Sequence, residues 1–87
     1  MSLKDLANEL EPLKFRWREV GAQFGFTVND LDEIEEKDPH GGAQQWMTTM
    51  LDRKLRTTPG FGWDDVLEAR KRIEYEALAR QLGFPRG

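Results

Sequence analysis

The side chains of this chain that could do chemistry are few, and their spacing suits none of the common reactions. A metal centre, or a nucleophile with its base, needs ligating or titrating groups that converge. The 87 residues offer one histidine, no cysteine and, at Ser2, one serine. His40 stands in Asp38-Pro39-His40-Gly41-Gly42, a run of turn formers, and reads as an exposed turn residue. The one dense group of carboxylates is Asp30, Asp32, Glu33, Glu35 and Glu36. Calcium would use such a run in a loop of the form D-x-[DN]-x-[DN]-G, but Glu35 occupies the place of the glycine. Paired carboxylates for hydrolysis need a cleft that separates their pKa values, and so thin a helical chain leaves little room for one. The acids therefore read as a solvated helix face or as a surface for a partner. No catalytic residue, cofactor, metal or small-molecule substrate is expected, and the chain is not expected to be an enzyme.

Charge says more about partners. The formal net charge of −3 argues against nucleic acid, whose phosphates are held by clustered Lys and Arg. Up to Asp38 ten acids face five bases, net −5, whereas from Pro39 onward eight bases face six acids, net +2. Opposite poles let a molecule attract copies of itself or a relative. Without cysteine there is no disulfide, so packing must hold the fold, and a reducing compartment is compatible. Apolar runs fall far short of the ~20 residues of a membrane span, and the start lacks the apolar region of a signal peptide. The expectation is a cytoplasmic protein with no membrane insertion, forming one domain over 1–87 with its core in about 3–83 and a frayed tail at 84–87.

Helical spacing dominates, and no stretch alternates cleanly enough to predict a strand, so the class is all-α. Leu3, Leu6 and Leu10 mark a first helix, which Pro12 either ends or follows by opening the next. A second helix is predicted from about Leu13 to Phe24, with Trp17, Val20, Gly21 and Phe24 on one face and Gly25 just past its end. Thr27 and Asp30 form a near capping box for a third helix, whose thin seam is Val28, Leu31 and Ile34. Ala43, Trp46, Met47, Met50, Leu51 and Leu55 trace the broad stripe of a fourth, which Pro59-Gly60 breaks. Trp63, Val66, Leu67 and Ile73 resume the period, and no Gly or Pro intervenes before Leu82. Periodicity here permits one long helix or two with a tight turn near Ile73-Glu74. The three tryptophans read as core packing, Met47 and Met50 as gap fillers, and Phe61 and Phe84 as partly exposed.

In order and spacing these features resemble a death domain. The residues that carry the resemblance are Trp17, Gly21, Phe24, Gly25, Leu31, Ile34 and Glu35, then Pro39, Trp46, Met50 and Leu51, then Trp63, Val66 and Leu67, and Leu78-Ala79-x-x-Leu82. The chain departs from the pattern in two places: Asp52-Arg53-Lys54-Leu55 stands where many relatives have a Trp, and Gly62 where a capping Thr or Ser commonly precedes Trp63. The resemblance implies a six-helix antiparallel Greek-key bundle, with the 63–82 stretch split in two. It adds Leu78 and Leu82 to a core of Leu6, Leu10, Trp17, Val20, Phe24, Leu31, Ile34, Trp46, Met50, Leu51, Trp63 and Leu67.

The resemblance also implies a non-catalytic module that assembles homotypically with other death-domain proteins in signalling complexes, itself included among the candidate partners. Carried over, the family's contact surfaces contain Arg16 and Arg18, the acids Asp30, Asp32, Glu33 and Glu36, the cations Arg53, Lys54 and Arg56, and Glu74 and Glu76. Two alternatives stay open. One is another bundle of the same superfamily, such as a caspase-recruitment domain. The other is a small helical DNA-binding module, in which a basic stretch such as Arg70-Lys71-Arg72 mimics a recognition helix and Arg70 would have to be exposed.

Overall fold

A computed structural model describes residues 2–83; Met1, Phe84 and the expected frayed tail lie outside the described residues. The described chain is helical, with five α-helices and one short 3-10 helix. Helix α1, Leu3–Leu10, starts from a capping box in which the Ser2 hydroxyl accepts from the Asp5 amide and the Asp5 carboxylate accepts from the Ser2 amide. The chain then tightens into a 3-10 helix, Glu11–Arg16, with Pro12 in its first turn where a missing N–H costs no bond. Helix α2, Trp17–Gln23, follows directly, so the second helix predicted from about Leu13 is 3-10 at its start and α only from Trp17.

Helix α2 ends in a Schellman motif: the Phe26 amide donates to the Gly21 carbonyl at 3.0 Å and the Gly25 amide to the Ala22 carbonyl at 3.1 Å, with Gly25 at φ +90°. Helix α3, Val28–Lys37, uses the expected box, the Thr27 hydroxyl accepting from the Asp30 amide and the Asp30 carboxylate from the Thr27 amide. Helix α4, Gly42–Thr57, is the central element, packed by α1, α2, α3 and the 3-10 helix. The Trp46 indole donates to the Asp38 carbonyl at 2.7 Å and so fixes the start of α4 against the end of α3.

Helix α5, Trp63–Leu82, is one continuous element of 20 residues. The split of 63–82 implied by the family resemblance is therefore corrected, and with it the count of six separate α-helices. The absence of a helix breaker between Trp63 and Leu82 permits this continuity, and α5 stops only at Gly83, in the left-handed conformation at φ +73°. At its start Gly62 supplies no hydroxyl, and only the reverse half of a box forms, the Gly62 amide donating to Asp65 at 3.0 Å.

One core runs through the bundle. Leu6, Leu10, Trp17, Val20, Phe24, Leu31, Ile34, Met50 and Leu51 are buried in it, together with Ala7, Leu13, Met47, Val66, Ala69 and Ile73. Trp46 and Trp63 are part-buried against it, as is Phe61, which meets Phe24 edge-to-face at 4.9 Å. Leu67, Leu78 and Leu82 do not belong to this core. The buried stripe of α5 is Val66, Ala69 and Ile73, which turns Leu67 to a half-buried flank. Beyond Ile73 no residue of α5 is buried, and Leu78 and Leu82 are exposed to solvent. Val28, placed in the α3 seam by spacing, is also exposed.

Candidate functional site

The charged residues singled out from the sequence lie on α2, α3, the end of α4 and the second half of α5, and most of them are bound within the chain. Arg18 reaches from α2 to α3: its Nη2 lies 2.8 Å from Asp32 and 2.7 Å from Glu35, and its Nε donates to the same Glu35 oxygen at 3.0 Å. These hydrogen bonds, first to Asp32 and then to Glu35, raise the Arg18 pKa above its already high ordinary value. Arg16, two residues earlier, is exposed and has no ion pair among the described residues. The expected Arg16 and Arg18 pair thus divides into one outward cation and one clamp between helices. Glu35 is the clamp's second jaw, and its separation of 17 residues from Arg18 gave no local sign of the contact.

On α3, Asp30 is consumed in the cap of its own helix, Glu33 pairs with Lys37 at 3.0 Å and Arg53 at 3.5 Å, and Glu36 points into solvent. The end of α4 holds the three expected cations in different ways. Arg53 leans on Glu33. The Lys54 ammonium donates to the Phe24 carbonyl at 2.7 Å and sits 5.9 Å from the Phe26 ring centroid, so it finishes the end of α2 from another helix. Arg56 pairs with Asp52 one turn back and leaves three quarters of its side chain exposed. Beside this corner a cleft of about 420 Å³ opens between Phe24, Lys54, the Pro59-Gly60-Phe61 loop and Arg72 of α5.

On α5, Glu74 pairs with Arg70 and Glu76 with Arg80. Arg70 also donates to the Glu9 carbonyl at 3.0 Å and carboxylate at 2.8 Å, which ties α5 to α1. Arg72 pairs with Glu68 at 3.1 Å. Arg70, the cation that a recognition helix would need exposed, is thus half-buried and held by Glu9 and Glu74, while Lys71 and Arg72 are exposed. No helix among the described residues is long and apolar enough to cross a membrane.

Two carboxyls on α3 are held below their ordinary range. For Asp30 the cause is chiefly the Thr27 amide, with the Thr27 hydroxyl second. For Glu33 it is the Lys37 ammonium, with Arg53 behind it. A carboxyl with a depressed folded-state pKa stabilises the fold above its unfolded pKa, and that contribution is lost as pH falls through the folded value. Thermal melts should therefore move to lower temperature on acidification below about pH 4. Asp30→Asn should flatten part of that slope, and an unchanged slope in this variant would remove Asp30 as a contributor.

A death domain family model matches residues 1–53, from α1 to Arg53 in α4, and leaves α5 outside the match. No curated protein and no solved structure matches the chain.

Proposed function

The chain belongs to the death domain family, and from that membership we propose that it is a non-catalytic protein-interaction module that assembles homotypically with other death domains in apoptotic or inflammatory-type signalling complexes. The observation that carries this reading is the family match over more than half of the chain, in a bundle whose elements among the described residues are all helices. The match is to the death domain, which favours it over a caspase-recruitment domain. A cytoplasmic location, a single domain over 1–87, and the absence of nucleic-acid, membrane and small-molecule ligands belong to the same proposal. So does the antiparallel Greek-key order of the family. It is supported by α1 and α2 each packing on α4 and α5, with α3 on α4, and the fifth and sixth helices joined in this chain.

Within this proposal the docking surfaces are Arg16 and Arg18 of the α2 region, Asp30, Asp32, Glu33 and Glu36 on α3, Arg53, Lys54 and Arg56 at the end of α4, and Glu74 and Glu76 on α5. The corner at Arg53 and Arg56 is the strongest candidate, because Arg56 extends its guanidinium into solvent beside a loop that shapes a cleft. An acidic partner surface would be steered to it, and binding would weaken as salt rises.

The test is a pull-down with the immobilised chain, with bound proteins identified by mass spectrometry and compared with an Arg53→Gln, Arg56→Gln double variant. Glutamine keeps much of each stem while removing the charge, and it avoids setting a new carboxylate beside Glu33. Death-domain proteins should be enriched on the parent and depleted about tenfold or more on the variant, the loss expected for removing charge pairs worth 1.4 kcal/mol or more in total. The melting midpoint should fall only slightly, since exposed ion pairs contribute about 0–1 kcal/mol each. Capture of death-domain proteins equal on both would discard the basic corner. No death-domain protein on either would overturn the homotypic reading.

A further inference from the structure

Thr58 is the one hydroxyl residue of the chain that precedes a proline. It is the first residue past α4, where Pro59 lacks the N–H of a further helical turn and holds the residue before it in extended backbone, at φ −127° and ψ 99°. The loop that it opens, residues 58–62, contains no buried residue. Two backbone bonds hold Thr58 itself: its amide donates to the Lys54 carbonyl at 3.0 Å, and its carbonyl accepts from the Phe61 amide at 3.2 Å. Its hydroxyl makes no hydrogen bond among the described residues. Thr57, still within the helix, instead donates its hydroxyl to the Arg53 carbonyl at 2.9 Å. An extended threonine with a free hydroxyl and a following proline suits a proline-directed protein kinase, whose pocket beyond the threonine takes a residue with no N–H to leave unpaired.

The place of Thr58 decides what a phosphate there does. Residues 52–57 set Arg53, Lys54 and Arg56 against Asp52, a net charge of +2, and Thr58 borders the same cleft as Lys54 and Arg72. A phosphothreonine brings about −1.5 to −2 charge and three acceptor oxygens. That charge offsets the excess of the corner, and the exposed Arg56, two residues away, gains an acceptor within its own chain. Asp65 and Glu68, the acids of α5 that also border the cleft, are already engaged by the Gly62 amide and by Arg72.

We propose that Thr58 is a phosphorylation site for a proline-directed protein kinase and that its phosphate switches off the basic corner at the end of α4. The Thr58 Oγ1 attacks the γ-phosphorus of a nucleoside triphosphate held by the kinase, the bond to the β-phosphate oxygen breaks, the nucleoside diphosphate leaves, and the hydroxyl proton passes to the kinase's catalytic carboxylate. The switch rests on the reading of that corner as a docking surface and adds its off state.

The folded chain is incubated with ATP and, in separate reactions, a mitogen-activated and a cyclin-dependent kinase, and the product is mapped by tandem mass spectrometry. One phosphoryl group per chain should appear, at Thr58. It should persist in Thr57→Ala and vanish in Thr58→Ala, whose melt should match the parent because the lost hydroxyl bonds to nothing. A chain left unmodified by both kinases, or modified equally in Thr58→Ala, would overturn the site. The consequence is read with a fluorescent oligoglutamate peptide at low salt, which needs no death domain as partner. The phosphorylated chain should keep its helical spectrum and bind the peptide about tenfold or more weakly than the parent. Equal binding by both forms, or none by the parent, would overturn the switch. Peptide binding lost on phosphorylation, with no death-domain protein in the parent's pull-down, would uphold the switch and discard the homotypic reading.

Discussion

Replacing Trp17 with alanine is expected to lower the unfolding free energy by about 3–5 kcal/mol, and the melting midpoint by roughly 15–30 °C. The indole is 4 % exposed, at the start of α2, and lies 5.8 Å from Trp46 with the rings tilted by 42°. Its removal leaves a cavity that the surrounding helices cannot close without moving Trp46. Trp46 is itself held by the hydrogen bond of its indole to the Asp38 carbonyl. A domain of this size holds about 5–10 kcal/mol, so the variant should be partly unfolded at physiological temperature. The natural control is Leu78→Ala. Spacing places Trp17 in the core and the family resemblance places Leu78 there, but the structure buries only Trp17, and truncation at Leu78 should change stability by no more than about 0.5 kcal/mol. Urea titrations of the two variants, followed by far-ultraviolet circular dichroism, check the contrast. Equal losses would mean that the end of α5 folds back on the bundle.

The second large effect is expected at Gly21, where the reason is space. A Cβ added there would stand 2.8 Å from Cδ2 of Leu31 and 2.8 Å from the sulfur of Met50. Both neighbours are buried, Leu31 at 3 % and Met50 at 0 % exposure, so neither can swing outward. Gly21→Ala sets a helix-propensity gain of about 1 kcal/mol against an overpacking cost of about 1–3 kcal/mol, and it should end slightly destabilised. Gly21→Val adds two further carbons with a smaller propensity gain and should lose about 3 kcal/mol. Pairing Gly21→Ala with Met50→Val should cost less than the two single changes added together, since one makes the room the other needs. Strict additivity in that cycle would mean that α2 and α4 do not meet at Gly21.

Gly21 also shows where reading the sequence reaches its limit. That it lies on the apolar face of α2 follows from its spacing to Trp17 and Phe24; that α3 and α4 converge on it does not. The same division runs through the whole chain. The Thr27 and Asp30 cap, the stop at Gly25, the turn at Asp38-Pro39 and the stripe of α4 depend on neighbours within four or five positions, and all were legible from residue types and spacing. The pairing of Arg18 with Asp32 and Glu35, of Arg70 with Glu9 and of Lys54 with the Phe24 carbonyl joins residues 14 to 61 positions apart. Nothing local distinguishes such a clamp from a charge waiting for a partner.

By itself the sequence determined the all-helical class, most of the helix boundaries and, Val28 apart, the apolar faces of α1 to α4, because helical period and caps are short-range; its order of motifs also carried the resemblance to the death domain family. For α5 it left open one helix or two, and the missing breaker between Trp63 and Leu82 was compatible with both. Only the tertiary structure decided that α5 is one continuous helix, that its burial ends at Ile73, and that Leu78 and Leu82 face solvent. The reason is that a helical stripe states which side is apolar, whereas burial also needs another element packed tightly against it, and past Ile73 no residue of α5 is buried.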